Sequence, residues 1–187
     1  MIDVGYLGPK GTYCGEAAEL FTQREREIRL VALPPALSGM FSELEMGNVQ
    51  GIVVPLINSI EGIYPESVEG LRRYGLIQKG SLDLKIDLAL GIHPESTRNK
   101  IREIRSRNTA LGECRKYLLA NFSSILLKEI GSTAQGMKEI MEGQLLDVAA
   151  IGSEYGMEKY GLKVLDRNIE DRTDNFTTFL YLCKKKV

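Results

Sequence analysis

Three short loops in this 187-residue chain carry side chains able to bind and activate an anionic small molecule: Leu7-Gly8-Pro9-Lys10-Gly11-Thr12, Pro55-Leu56-Ile57-Asn58-Ser59 and Ile130-Gly131-Ser132-Thr133. Each follows an apolar run and precedes a stretch of helical period. Its hydroxyls, amide and backbone N–H groups therefore lie where an open sheet presents donors to a ligand. Helix capping alone accounts for any one such loop; three together point to a shared cleft. Nucleophilic chemistry has less to work with. His93 is the single histidine and precedes Pro94, a turn position. Cys14, Cys114 and Cys183 are odd in number and far apart, with no CxxC pair, which argues against structural zinc and a disulfide framework.

The elements that must hold these loops follow from periodicity. Short apolar runs at 4–7, 28–33, 51–55, 83–92, 125–130, 148–152, 163–165 and 178–183 read as strands. Helical periods occupy 15–23, 36–46, 66–74, 94–105, 113–121, 134–143 and 154–160, with Leu37, Met40, Phe41 and Leu44 on one face. This alternation predicts an α/β protein with mainly parallel sheets. The stretch 74–81 is the natural exit into a second lobe and 168–183 the return, giving lobes of about 1–78 plus 168–187 and about 79–167. A hydrophobic share of 43% supplies a core. With 24 Lys and Arg against 25 Asp and Glu, and no basic block, nucleic acid is excluded as a bulk electrostatic partner. No apolar run approaches the roughly 20 residues a spanning helix needs, and Met1-Ile2-Asp3-Val4-Gly5-Tyr6 reads as a strand rather than a leader. A cytoplasmic protein is expected.

Six segments, in order, resemble the catalytic domain of the prephenate dehydratase family. Tyr6-Leu7-Gly8-Pro9-Lys10-Gly11-Thr12-Tyr13-Cys14 resembles the family's LGPxGTFS, and Val54-Pro55-Leu56-Ile57-Asn58-Ser59-Ile60-Glu61-Gly62 its VPxENSxEG. Ser106 to Cys114 is a worn SHPQxxxQC; Ser132-Thr133-Ala134 and Ala149-Ala150-Ile151-Gly152-Ser153 follow, and Asn175-Phe176-Thr177-Thr178-Phe179 resembles NxTRF. The resemblance implies two α/β lobes like those of a type II periplasmic binding protein, with the active-site cleft between them. It also implies cofactor-free loss of carbon dioxide and a ring hydroxyl from prephenate to give phenylpyruvate, the precursor of phenylalanine. Thr177 is then the general acid, with Asn58 and Ser59 beside it as catalytic residues. Thr12, Ser106, Glu113, Ser132, Thr133 and Phe179 become substrate contacts. The partner is a small dianion, with no nucleic acid or membrane, and a homodimer is allowed.

The departures fall on polar positions. Ile57 stands for the family's Glu, Thr178 for its Arg, Glu113 for Gln, Arg107 for His and Tyr13-Cys14 for Phe-Ser. Losing an Arg removes a planar, always-charged fork that Thr cannot replace; Lys10 and Arg107 are the nearest candidates to supply cation. Three functions follow, ranked in this order: a divergent prephenate dehydratase; a relative acting on prephenate without dehydration or on another small cyclic or keto acid; and a non-catalytic small-acid binder. Relatives commonly carry a regulatory ACT domain after the catalytic one. The expectation is a catalytic unit without such a domain, not inhibited by phenylalanine through it.

Overall fold

The computed structural model describes residues 1–25 and 27–185. The chain forms two compact units. The first takes in Met1–Pro9, Tyr13–Lys85 and the chain from Asp174 on; the second takes in Lys10–Thr12 and Ile86–Thr173. In chain order the first unit contributes β1 (Ile2–Leu7), α1 (Tyr13–Thr22), β2 (Ile28–Leu33), α2 (Leu37–Met46), β3 (Gly51–Asn58), β4 (Gly62–Ile63), α3 (Pro65–Tyr74) and β5 (Ile77–Lys85). The second contributes β6 (Ala89–Ile92), a 3₁₀ turn at Arg98–Lys100, β7 (Glu103–Ser106), α4 (Asn108–Glu113), α5 (Arg115–Asn121), β8 (Leu126–Glu129), α6 (Thr133–Glu142), β9 (Val148–Gly152), α7 (Glu154–Tyr160) and β10 (Lys163–Asp166). The chain then returns to the first unit as β11 (Phe176–Cys183).

The first sheet has the order β2-β1-β3-β11-β5, with β4 hairpinned onto β3. β1 runs parallel to β2 and β3, whereas β11 is antiparallel to both β3 and β5. Alternation along the strands sends Val4, Tyr6, Val53, Phe179 and Tyr181 to one face, where they bury Cys14, Ala17 and Ala18 of α1. Ile52, Val54, Leu180 and Leu182 face the other way onto Met40, Phe41 and Leu44 of α2. The second sheet has the order β10-β6-β9-β7-β8, with β7 parallel to β8 and β9 and with β6 antiparallel to its neighbours. Ala89, Met137, Ile140, Val148, Ala150 and Met157 make a core against α6 and α7. Both sheets are thus mixed rather than mainly parallel.

Besides the short strand β4 and the helix α4 ahead of the one expected at 113–121, three segments depart from the expected elements. The helix expected at 94–105 is a 3₁₀ turn followed by β7. The connector expected over 74–81 contains most of the edge strand β5, whose exposed, polar residues hide its strand character. The single strand expected at 83–92 breaks into β5 and β6 where the chain leaves the first unit. Among the described residues no helix is long and apolar enough to cross a membrane, and no group of three or more His, Cys, Asp or Glu could hold a metal ion.

Candidate active site

The carboxyl end of β3 and the amino end of β11 bring three polar side chains together, through one irregularity in the ladder. Thr177 pairs with Asn58 and Thr178 with Ile57, but Phe179 pairs with Pro55, so β3 carries an extra residue at Leu56. Regular alternation from Val53, on the α1 face, would turn Asn58 to the opposite face. The bulge shifts that parity by one and sets Asn58 on the α1 face with Thr177. Opposite Thr177 on β5 is Leu84, which packs on the same face. The Pro55 carbonyl beside the bulge accepts a 2.6 Å bond from Ser67 Oγ of α3, a fully buried serine.

Within this corner Asn58, Asn175 and Thr177 are all at least 95% buried. Asn58 Oδ1 accepts the backbone N–H groups of Ile60 and Glu61, each at 2.8 Å. Its Nδ2 donates to Asn175 Oδ1 at 2.7 Å and to Thr177 Oγ1 at 2.8 Å. An amide has two donor hydrogens and two acceptor lone pairs, so Asn58 is fully used within the protein. It holds Thr177 instead of offering itself to a ligand. Ser59 is also committed: its N–H donates to the Phe176 carbonyl at 2.9 Å, its Oγ donates to the Asp174 carbonyl at 2.9 Å, and that Oγ accepts the Phe176 N–H at 3.0 Å. It is a clamp across β3 and β11.

Thr178 and Ile57 are register partners on the face away from Thr177, and Thr178 Oγ1 donates to Asp83 Oδ1 at 2.6 Å. The family's Glu and Arg therefore map to adjacent cross-strand positions, and both charges are lost together. The net charge at this pair is unchanged. Phe179, expected to contact substrate, is 2% exposed and lies in the core against α1. Burial also drives the Cys14 thiol up to about 12, a protonated and unreactive form.

The remaining candidates lie in the second unit. Ser106 is fully buried and its Oγ donates to the Ile151 carbonyl at 2.8 Å, tying β7 to β9. Ser132 caps α6 by accepting the Gln135 N–H at 3.0 Å. Thr133 packs over Gly152, where an added Cβ would meet Thr133 Cβ at 3.0 Å. Thr12 follows Gly11, whose φ of +83° and approach to Gly156 Cα and the Tyr160 ring exclude a side chain. Glu113 sits in an acidic neighbourhood: burial first, then Glu170, Glu113 and Asp171, push the Cys114 thiol upward. Arg107 and Lys10 are exposed. Asn175 and Ser153, which caps α7 through the Gly156 N–H, were not singled out as site residues by the sequence, although both lie within the family-like segments.

Residues 4–187 match the family model described as prephenate dehydratase. The chain is 33% identical over 183 residues to the prephenate dehydratase of Methanocaldococcus jannaschii, covering 96% of this chain and 64% of that one. It spans about half the length of other curated relatives it matches, 47% and 49% of two bifunctional chorismate mutase/prephenate dehydratases. Among solved structures, the prephenate dehydratase of Staphylococcus aureus superposes with a TM-score of 0.83 at 26% identity, over all of this chain and 67% of that chain. A periplasmic substrate-binding protein of an ABC transporter from Coxiella burnetii gives 0.50 at 13% identity, covering 99% and 85%, a likeness of fold alone and of the type II binding-protein kind. The chain belongs to the prephenate dehydratase family.

Proposed function

We propose that this chain converts prephenate to phenylpyruvate, carbon dioxide and water, with the Thr177 hydroxyl as proton donor. The observation that carries the reading is that Asn58 Nδ2 donates into Thr177 Oγ1, which leaves the hydroxyl proton to be given elsewhere. In the step, the bond from the ring to its carboxylate breaks and that electron pair enters the ring. The bond to the ring hydroxyl breaks as its oxygen takes the Thr177 proton, and solvent restores that proton. Aromatisation drives the reaction, so the protein has only to hold the dianion and ease departure of the hydroxyl.

Thr12, Ser132 and Thr133 are the proposed donors to the substrate carboxylates, and Lys10 and Arg107 the proposed cations. A cytoplasmic location is part of the same reading; three free thiols fit a reducing compartment. A homodimer is too, favoured by the open edge of β8 with Leu126 and Leu127 exposed.

Incubation of the purified chain with prephenate, with products separated and identified, tests the reaction. Phenylpyruvate and carbon dioxide in equal amounts are expected. Loss of prephenate without an aromatic product, or thermal stabilisation by prephenate without turnover, would replace this reading with a non-dehydrating enzyme or a binding protein.

A further inference from the structure

We infer that Asn175 is a positioning residue that fixes the direction in which Thr177 gives its proton; the inference rests on the function proposed above. The two N–H groups that reach Asn58 Oδ1, from Ile60 and Glu61, can only donate. They settle which end of the Asn58 carboxamide is oxygen. The amide cannot be reversed, so its two hydrogens must face Asn175 and Thr177, and Thr177 Oγ1 must accept. Among the described residues nothing takes the Thr177 proton in return. Asn175 Oδ1 receives the second amide hydrogen at 2.7 Å, which stops the carboxamide from twisting away from Thr177.

Asn175 is itself held from both sides. Ser59 Oγ bonds the Asp174 carbonyl and the Phe176 N–H, the backbone groups that flank it. The chain of control runs from Ser59 and the turn amides, through Asn175 and Asn58, to the Thr177 hydroxyl. Asn175, Asn58 and Thr177 are each at least 95% buried, where water cannot substitute for a missing partner.

The test compares Asn175→Ala, which deletes the acceptor, with Asn175→Asp, which keeps an acceptor of the same shape. Steady-state phenylpyruvate formation should show kcat down about tenfold or more in Asn175→Ala with KM within about threefold, and kcat within about threefold in Asn175→Asp. The decisive readout is a double-mutant cycle: because Asn175 acts through Thr177, Asn175→Ala should cost nothing further in a Thr177→Val background. Equal losses in both backgrounds, or full activity of a folded Asn175→Ala, would overturn the inference while leaving the proposed reaction standing. Absence of phenylpyruvate from the unsubstituted chain would overturn the reaction, and the inference with it. Circular dichroism on each variant checks folding, and failure of both Asn175 variants to fold would assign the residue to structure alone.

Discussion

Asn58→Asp changes one atom's chemistry and almost no volume, and it should silence the reaction by turning a proton around. The substituted carboxylate can still accept the Ile60 and Glu61 N–H groups at 2.8 Å. Its second oxygen, however, replaces Nδ2, which lies 2.7 Å from Asn175 Oδ1 and 2.8 Å from Thr177 Oγ1. An acceptor there leaves Thr177 one favourable choice, to donate its proton to Asp at position 58, and it sets two acceptors face to face at Asn175. Removing a positioned acid typically costs 10² to 10⁴ in rate, about 2.7–5.4 kcal/mol at 1.36 kcal/mol per decade. The stability loss is smaller, about 1–3 kcal/mol for one bond exchanged for an acceptor pair, or a few degrees per kcal/mol in the thermal midpoint at about this chain length. The assay is kcat for phenylpyruvate formation at saturating prephenate, beside a thermal melt. A folded Asn58→Asp variant with kcat within about threefold of the unsubstituted chain would refute the polarity argument.

Two further outcomes follow from groups around this corner. Ser67→Ala removes the hydroxyl that satisfies the Pro55 carbonyl at the bulge; it should lower unfolding stability by about 1–3 kcal/mol, read by urea denaturation, and lower kcat because the bulge aims Asn58. The Cys14 thiol, raised by burial from 9.0 to about 12, keeps its proton in the folded chain where the unfolded chain has lost it. Its contribution is therefore whole below pH about 9 and lost progressively as pH rises towards 12; melts across that window should fall more steeply than those of Cys14→Ala.

Long periodic elements were legible in the sequence because burial dictates them: the Met40, Phe41 and Leu44 stripe of α2 lies in the core, and 28–33 and 148–152 form β2 and β9 with the expected bounds. The stretch around β7 misled because Ile101 and Ile104 mimic a helical spacing. Its true period is two, with Ile104 and Ser106 buried on one face and Glu103 paired with Arg105 on the other. At the site, the residue types of Asn58 and Thr177 were readable, but their meeting depends on a register shift at Leu56 that no local pattern announces. The same limit explains Ser59 and Ser106, whose hydroxyls were read as ligand donors and instead bond backbone carbonyls. It covers Thr178 as well, because nothing in the sequence announces that the two substituted positions, Ile57 and Thr178, are register partners.

Whether the Thr177 hydroxyl gives its proton to the departing hydroxyl of prephenate is read from kcat for phenylpyruvate formation in Thr177→Val and Thr177→Ser. Valine keeps the shape without the hydroxyl and should lower kcat by about 10² to 10⁴ with little change in KM, while serine, which keeps the hydroxyl, should retain most of the rate. Normal turnover by a folded Thr177→Val variant would contradict the account.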